Sequence, residues 1–145
     1  MSLKNASRYA IVLLMAAVLG LFLIRSLFAD TLVFILLQAI GVLVMAWARL
    51  AFGLRSFHGA ANPTAGGVVT TGPYAYIRHP IYAGMLLFLW AGVMAHPTLA
   101  SAAFGLLATA AISLRIFAEE RLIARRYPEY STYRARTQRL IPFVF

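Results

Sequence analysis

The sequence predicts an all-α integral membrane protein, a bundle of four transmembrane helices, and three observations support this fold class. Hydrophobic residues make up 62% of the 145 residues and charged residues only 12%, whereas soluble domains are roughly 45–50% apolar. Long apolar segments recur along the chain between short polar turns. Twelve of the thirteen lysines and arginines fall on one side of the predicted spans. We therefore predict a single membrane domain over residues 1–145.

Each span follows from the length of an apolar segment, since about 20 apolar residues cross a bilayer as a helix. The third segment is short, but Pro80 is a favoured first-turn residue. Asp30 or Thr31 could cap the second helix. No convincing cleavage site follows the first segment, so we expect it to remain as an anchor. The predicted spans are Tyr9–Ala29, Thr31–Gly53, Ile81–Ala95 and Thr98–Ala118.

The positive charges predict the orientation. Arg25 is the single basic residue on one side, and the other twelve flank the termini and the loop Leu54–Arg78. Basic residues concentrate on the cytoplasmic side of membrane proteins, so both termini and this loop are predicted to be cytoplasmic, in a bacterial inner membrane or an equivalent one. The net charge of +9 then favours the lipid bilayer as partner, and no nucleic-acid-binding module is recognisable. The oligomeric state stays open.

A polar cluster at Gly72–Gly84 stands between apolar segments on that cytoplasmic side. An Arg78-His79 pair at the mouth of a hydrophobic helix is costly unless it binds something. His79 and Tyr82 are spaced i, i+3, so they can share a helix face. Tyrosine and arginine also serve as interfacial anchors, and this alternative stays open for each residue alone.

A second polar cluster closes the fourth span. The chain has only four acidic residues, and Glu119 and Glu120 are two of them. Arg115 lies four residues before Glu119, so the two could simply form an ion pair. The tail that follows interleaves basic and aromatic residues, which is typical of an amphipathic helix at the membrane surface. With the loop, this tail is predicted to form a polar site.

Several kinds of site are disfavoured by the sequence. The chain has no cysteine, so thiolate chemistry and disulfides are excluded. Its three histidines are scattered, and no metal-ligand spacing is present, so no metal is predicted. No Ser-His-Asp order suggests acyl transfer.

The order and spacing of the two clusters resemble the isoprenylcysteine carboxyl methyltransferase family, to which membrane phospholipid methyltransferases are related. The resemblance covers about Phe57 to Phe143. It rests on Gly72-Pro73-Tyr74, Arg78-His79-Pro80-x-Tyr82-x-Gly84, Glu119-Glu120, Tyr127-x-x-Tyr130-x-x-Tyr133 and Arg139-Leu140-Ile141-Pro142.

The resemblance implies S-adenosylmethionine bound between the loop, the start of the third helix and the end of the fourth. It implies that Arg115 faces the substrate and that Glu119 holds a polar group of the cofactor. The cofactor carboxylate needs a cation or backbone N–H groups, and by residue type Arg78 is predicted to supply the cation. The residues predicted to bind the cofactor are Gly67, Val68, Val69, Tyr74, Arg78, His79, Pro80, Tyr82, Glu119 and Glu120.

The predicted function is S-adenosylmethionine-dependent methyl transfer to a lipid-linked or amphipathic small molecule, with a carboxylate such as a prenylcysteine-type group as acceptor. Three alternatives remain at this stage. A phospholipid amine methyltransferase would need a base, for which Glu120 is the candidate. A sterol-reductase-like enzyme would use NADPH, and a membrane scaffold would use the cluster only as an anchor.

Overall fold

The computed structural model describes residues 3–53 and 68–141. Within those ranges the chain is helical and contains no β-strand, so the predicted all-α class is confirmed. The helices are α1 (Leu3–Leu23), α2 (Leu32–Phe52), α3 (Pro80–Ala95), α4 (Leu99–Arg126) and α5 (Tyr130–Arg136), with a 3-10 turn at Gly72–Ala75 between α2 and α3.

Three of these helices are long and apolar enough to cross a membrane. They are Asn5–Leu23 within α1, α2 and α4, whereas α3 is a shorter apolar helix of 16 residues. The chain is therefore a multi-pass membrane protein. A fourth crossing by α3 stays a prediction, because 16 residues rise only about 24 Å against a hydrocarbon core of about 30 Å.

The ends of two helices differ from the predicted ones. α1 ends at Leu23, six residues before Ala29, the predicted end of the first span, because Arg25 leaves the helix with a left-handed φ of 57°. The N–H groups of Arg25 and the next residue bond back to carbonyls of the last turn at 3.0 and 2.8 Å, which closes α1 in a Schellman motif. In contrast, α4 runs eight residues beyond Ala118, and Pro128 then prevents its continuation.

The helices pack as two pairs, α2 with α3 and α1 with α4. Gly84 of the sequence cluster lies against Gly41 of α2. A Cβ atom on Gly84 would stand 2.6 Å from the Gly41 carbonyl oxygen, and the reverse distance is 2.7 Å. Small residues let helix backbones approach closely in lipid. This contact holds the beginning of α3 against α2.

The apolar core lies toward the end of the bundle where α1 joins α2 and α3 joins α4. Its buried members come from α1, α3, α4 and the α1–α2 connection. There the buried amide of Gln38 donates to the carbonyls of Leu27 at 2.8 Å and Phe88 at 3.2 Å. His96 lies 3.0 Å from the Phe28 carbonyl, which joins the two turns. Backbone bonds close this end, and the predicted polar site lies at the other.

The core at this end is formed by Ala17, Leu21, Leu27, Leu89, Val93 and Ala108.

Candidate functional site

The two polar clusters identified in the sequence meet where α3 begins and α4 approaches its end. The Tyr82 hydroxyl donates to Glu119 Oε1 at 2.6 Å. Arg115 Nε is 2.9 Å from the same oxygen and also donates to the Tyr82 hydroxyl. The ion pair between Arg115 and Glu119, which the sequence left as an alternative, is therefore present. Because Tyr82 joins it from another helix, it also ties α3 to α4.

His79 stands between the two carboxylates of α4. Its ring stacks on Tyr82, with 5.8 Å between ring centroids and 28° between planes. This confirms that residues spaced i, i+3 share a face here. His79 Nε2 lies 3.3 Å from Glu120 Oε1, and His79 Nδ1 lies 3.9 Å from Glu119 Oε2. Glu119 therefore uses Oε1 for its close contacts, and its second oxygen makes no contact as short among the described residues.

Glu120 is the centre of a second, more deeply buried polar group. Arg78 Nε approaches Glu120 Oε1 at 2.9 Å, and Arg139 Nε approaches Oε2 at 3.2 Å. The side chains of Arg78 and Glu120 are each 7% exposed, whereas that of Arg139 is 33% exposed. Arg78, Arg139 and His79 therefore surround the Glu120 carboxylate. The two guanidinium charges compensate the cost of burying it.

The C-terminal tail pairs with the segment directly before α3 as a short parallel bridge. After α5 the chain is extended at Thr137. Arg78 N donates to the Gln138 carbonyl at 2.7 Å, His79 N to the Arg139 carbonyl at 3.0 Å, and Gln138 N returns to the Tyr76 carbonyl at 3.2 Å.

The Arg78 guanidinium completes this attachment, since it also donates to the carbonyls of Arg134, at 3.1 Å, and Thr137. We call the segment Thr137–Arg139 the tail strand.

α5 buries one face against the loop before α3. Tyr130 and Tyr133 are buried, and the Tyr133 hydroxyl donates to the Tyr74 carbonyl at 2.7 Å. Burial raises the pKa of Tyr133 to about 12, although nearby Arg78 opposes the rise, so this hydroxyl stays protonated and keeps its bond. Burial likewise raises the pKa of Tyr74 and Tyr130. The amphipathic helix predicted for the tail therefore has its apolar face on the protein.

Sequence reasoning missed the partners that the tail contributes. The signal was present in the spacing of Tyr130 and Tyr133, which puts two buried side chains on one face of α5, and the buried Thr137 follows directly after the helix. The sequence marks Arg139 only as the first residue of the terminal motif Arg139-Leu140-Ile141-Pro142. Its pairing with Glu120, nineteen residues earlier in the chain, has no local periodicity to reveal it.

The remaining predicted residues lie around these two groups. Tyr74 is buried in the 3-10 turn, and its ring packs 5.5 Å from that of Phe52. Pro80 is buried as the first residue of α3. Val68 and Val69 are half-buried just before the turn, and Gly67 lies outside the described residues. The cofactor roles of all these residues stay predictions. Within residues 3–53 and 68–141, no group of three potential metal ligands occurs.

Comparisons with known proteins identify relatives of this chain. The model of the isoprenylcysteine carboxyl methyltransferase family matches residues 30–125, a range that contains α2, α3 and nearly all of α4. Cobalt-zinc-cadmium resistance protein CzcN of Cupriavidus metallidurans is 34% identical over 76 residues, which are 52% of this chain and 35% of that protein. The chain thus spans about a third of this curated relative. No solved structure matches.

Proposed function

This chain belongs to the isoprenylcysteine carboxyl methyltransferase family, and from that premise we propose that it methylates a lipid-linked or amphipathic acceptor with S-adenosylmethionine as donor. The acceptor group that fits best is a carboxylate. The observation that carries this proposal is the state of Glu119: Oε1 is held by Tyr82 and Arg115, and Oε2 is left toward His79 at 3.9 Å. A fixed carboxylate with one oxygen to spare suits an amine or ribose hydroxyls.

The residues present fit the chemistry of this cofactor. Its amine and ribose hydroxyls need an acceptor, which Glu119 offers. Its carboxylate needs N–H donors, and its adenine needs an apolar or aromatic surface. We propose His79, Tyr74 and Tyr82 as the partners of these two groups. Val68, Val69 and Pro80 would contribute backbone and apolar contacts, as the family resemblance implies.

S-adenosylmethionine supplies an electrophilic methyl group on a sulfonium sulfur. The protein then needs to align the acceptor and exclude water rather than to move a proton, because a carboxylate is already ionised at neutral pH. Arg115 is the proposed catalytic residue. Its Nε is fixed by Glu119 and Tyr82, and the charge of the guanidinium can orient the acceptor carboxylate.

Glu120 has a different proposed role from its neighbour. Both of its oxygens already accept contacts, Oε1 from Arg78 and His79 and Oε2 from Arg139. We propose that Arg78 and Glu120 position His79 and the tail strand, and support the cofactor through them. This occupancy also disfavours an amine acceptor, since Glu120 was the candidate base and its carboxylate is engaged by two guanidinium groups.

Two further alternatives are disfavoured by the same contacts. A nicotinamide cofactor with several phosphates would need several cations in the loop before α3. Of the two that the sequence offers there, Arg78 is bound to Glu120 and Arg55 lies outside the described residues. A membrane scaffold would not need Glu119, Arg115 and Tyr82 in one part-buried network, because interfacial anchors work as separate side chains.

The topology belongs to the proposal as well. With both termini cytoplasmic and α3 as the fourth crossing, the site lies at the cytoplasmic end of the bundle, where twelve of the thirteen basic residues are predicted. An acceptor with a hydrocarbon chain could then approach from the bilayer while its carboxylate stays at headgroup depth.

Cofactor binding tests the proposal. Purified protein is titrated by calorimetry with S-adenosylhomocysteine and, separately, with NADPH. We expect binding of the first on the order of micromolar, weakened about tenfold or more in Glu119→Ala because a charge-assisted hydrogen bond is lost. Glu129→Ala, an exposed acid at the start of α5, is the matched control and should bind normally. Binding of NADPH alone would refute methyl transfer, and binding of neither by folded protein would favour the scaffold.

The role of Arg115 is tested by turnover. Incubating the protein with a labelled methyl donor and lipid extracts identifies an acceptor. The turnover of Arg115→Ala and of Arg115→Lys is then compared with that of the wild type at a saturating concentration of this acceptor. We expect Arg115→Ala to lower kcat by about 100-fold or more. Arg115→Lys should lower kcat less, since lysine keeps the charge but not the paired donor geometry of the guanidinium. Full turnover in both variants would make Arg115 only an ion-pair partner.

A further inference from the structure

Arg25 occupies a backbone conformation that normally belongs to glycine. It is the only non-glycine residue with positive φ among the described residues, at 57°. In the Schellman motif that ends α1, glycine is usual at this position because a Cβ atom there crowds the following carbonyl oxygen. Retaining arginine at such a position therefore opposes stability. Residues that keep backbone strain concentrate at functional sites.

A cavity that is open to the surface lies beside Arg25, at the end of the bundle away from the candidate methyltransferase site. Its volume is about 440 Å³, and its lining consists of four apolar side chains and one guanidinium. Phe22, Leu23 and Phe28 are largely exposed on the same surface. The apolar stretch of α1 ends at Leu23, so we expect the cavity at the boundary between hydrocarbon and headgroups.

The lining residues of this cavity are Phe22, Leu23, Arg25, Leu27 and Phe28.

The charge of Arg25 is not neutralised within the described chain. The acid on the adjoining turn, Asp30, accepts a hydrogen bond from Thr31 at 3.2 Å and lies 3.9 Å from His96. His96 in turn contacts the Phe28 carbonyl. Neither group pairs with Arg25, so an exposed guanidinium stands at the rim of an apolar cavity with its charge available to a ligand.

We propose that this cavity binds one anionic phospholipid, with its phosphate on Arg25 and an acyl chain along Phe22 and Phe28. A lipid combines the two features that the cavity offers, an anion and a hydrocarbon chain. Arginine suits phosphate through paired N–H donors. The site is separate from the proposed methyl transfer and does not depend on it.

Lipid retention in native mass spectrometry tests the site. Purified protein is titrated with phosphatidylglycerol, and the wild type is compared with Arg25→Gln, Arg25→Lys and Arg25→Gly. We expect Arg25→Gln and Arg25→Gly to lower the affinity for the most tightly bound phosphatidylglycerol about tenfold. Arg25→Lys should lower this affinity less. Arg8→Gln removes the same charge from the exposed surface at the other end of α1 and should have no such effect. Equal losses in Arg8→Gln and Arg25→Gln would overturn the proposal.

Stability and competition provide two further readouts. Arg25→Gly should melt at least as high as the wild type in phosphatidylcholine nanodiscs, because glycine relieves the left-handed residue, yet it should lose the extra stabilisation that phosphatidylglycerol gives the wild type. If phosphatidylglycerol stabilises both equally, the proposal is wrong. Inorganic phosphate should neither stabilise the wild type nor displace the lipid; if it does both, the site takes a free anion and not a phospholipid.

Discussion

Removing the carboxylate of Glu120 should release the tail strand without unfolding the bundle. In the wild type Arg78 Nε lies 2.9 Å from Glu120 Oε1. Glu120→Ala removes this carboxylate and leaves the guanidinium of Arg78 buried without it. Breaking a buried ion pair by removing one partner costs about 3–5 kcal/mol. The bridge between Tyr76–His79 and the tail strand is the nearest structure that can open to rehydrate Arg78, so the loss should appear there.

The magnitude converts directly into hydrogen exchange. A local loss of about 3 kcal/mol or more is about 10²-fold in the opening equilibrium, since each factor of ten is 1.36 kcal/mol. The amides of Arg78, His79 and Gln138, which donate across the bridge at 2.7–3.2 Å, should lose about that much protection by mass spectrometry. Arg139→Ala should cost only about 1 kcal/mol, because that side chain is a third exposed.

Two controls separate local release from other causes. Glu129→Ala removes an exposed acid next to α5 and should leave exchange of the tail strand unchanged. Peptides from the middle of α2 and α3 should remain protected in Glu120→Ala, because the Gly41–Gly84 contact between these helices does not involve Glu120 or its partners. If Glu120→Ala leaves the bridge amides within about threefold of wild type, our account of the buried ion pair is incorrect.

Two further variants test packing and protonation. Gly84→Ala brings a Cβ atom to 2.6 Å from the Gly41 carbonyl oxygen and should lower stability by about 1–3 kcal/mol in thermal melts; Gly105→Ala, whose Cβ would meet a side chain of Val93 at 3.2 Å, should cost less, and equal losses would contradict the close approach. In the folded protein burial raises the pKa of Tyr133 to about 12, so between pH 10 and 12 the folded chain retains a proton that the unfolded chain releases. Stability should therefore fall as the pH rises through this range. Tyr133→Phe should reduce that slope in chemical denaturation at pH 10, 11 and 12, and an unchanged slope would exclude Tyr133 as a source.

Much of the fold follows from the sequence because its signals are local. Three apolar segments are long enough to be recognised as helices by length alone. The stacking of His79 on Tyr82 and the pairing of Arg115 with Glu119 join neighbours on a helix face, where spacing fixes contact. These parts of the candidate site could therefore be predicted with no knowledge of how the helices pack.

The missed features depend on contacts between distant residues or on unusual backbone. Arg78 and Glu120 are 42 residues apart, and Tyr133 meets Tyr74 across 59 residues, so no periodicity connects them. The early end of α1 was missed because an arginine takes the left-handed conformation, where sequence rules look for glycine. In both cases the tertiary structure determines what the local sequence leaves open.

The helices are held together by different interactions at the two ends of the bundle. This difference affects how the candidate site responds to mutation. Near the α1–α2 turn, α3 meets α1 and α4 through the apolar core. At the other end, the contact between α3 and α4 is largely polar, from Tyr82, His79 and the two carboxylates of α4. Hydrophobic packing tolerates changes of similar volume, but a buried ion pair loses several kcal/mol when one partner is removed. Charge changes at the site should therefore alter the position of α3 relative to α4, whereas conservative changes in the core should leave the site intact.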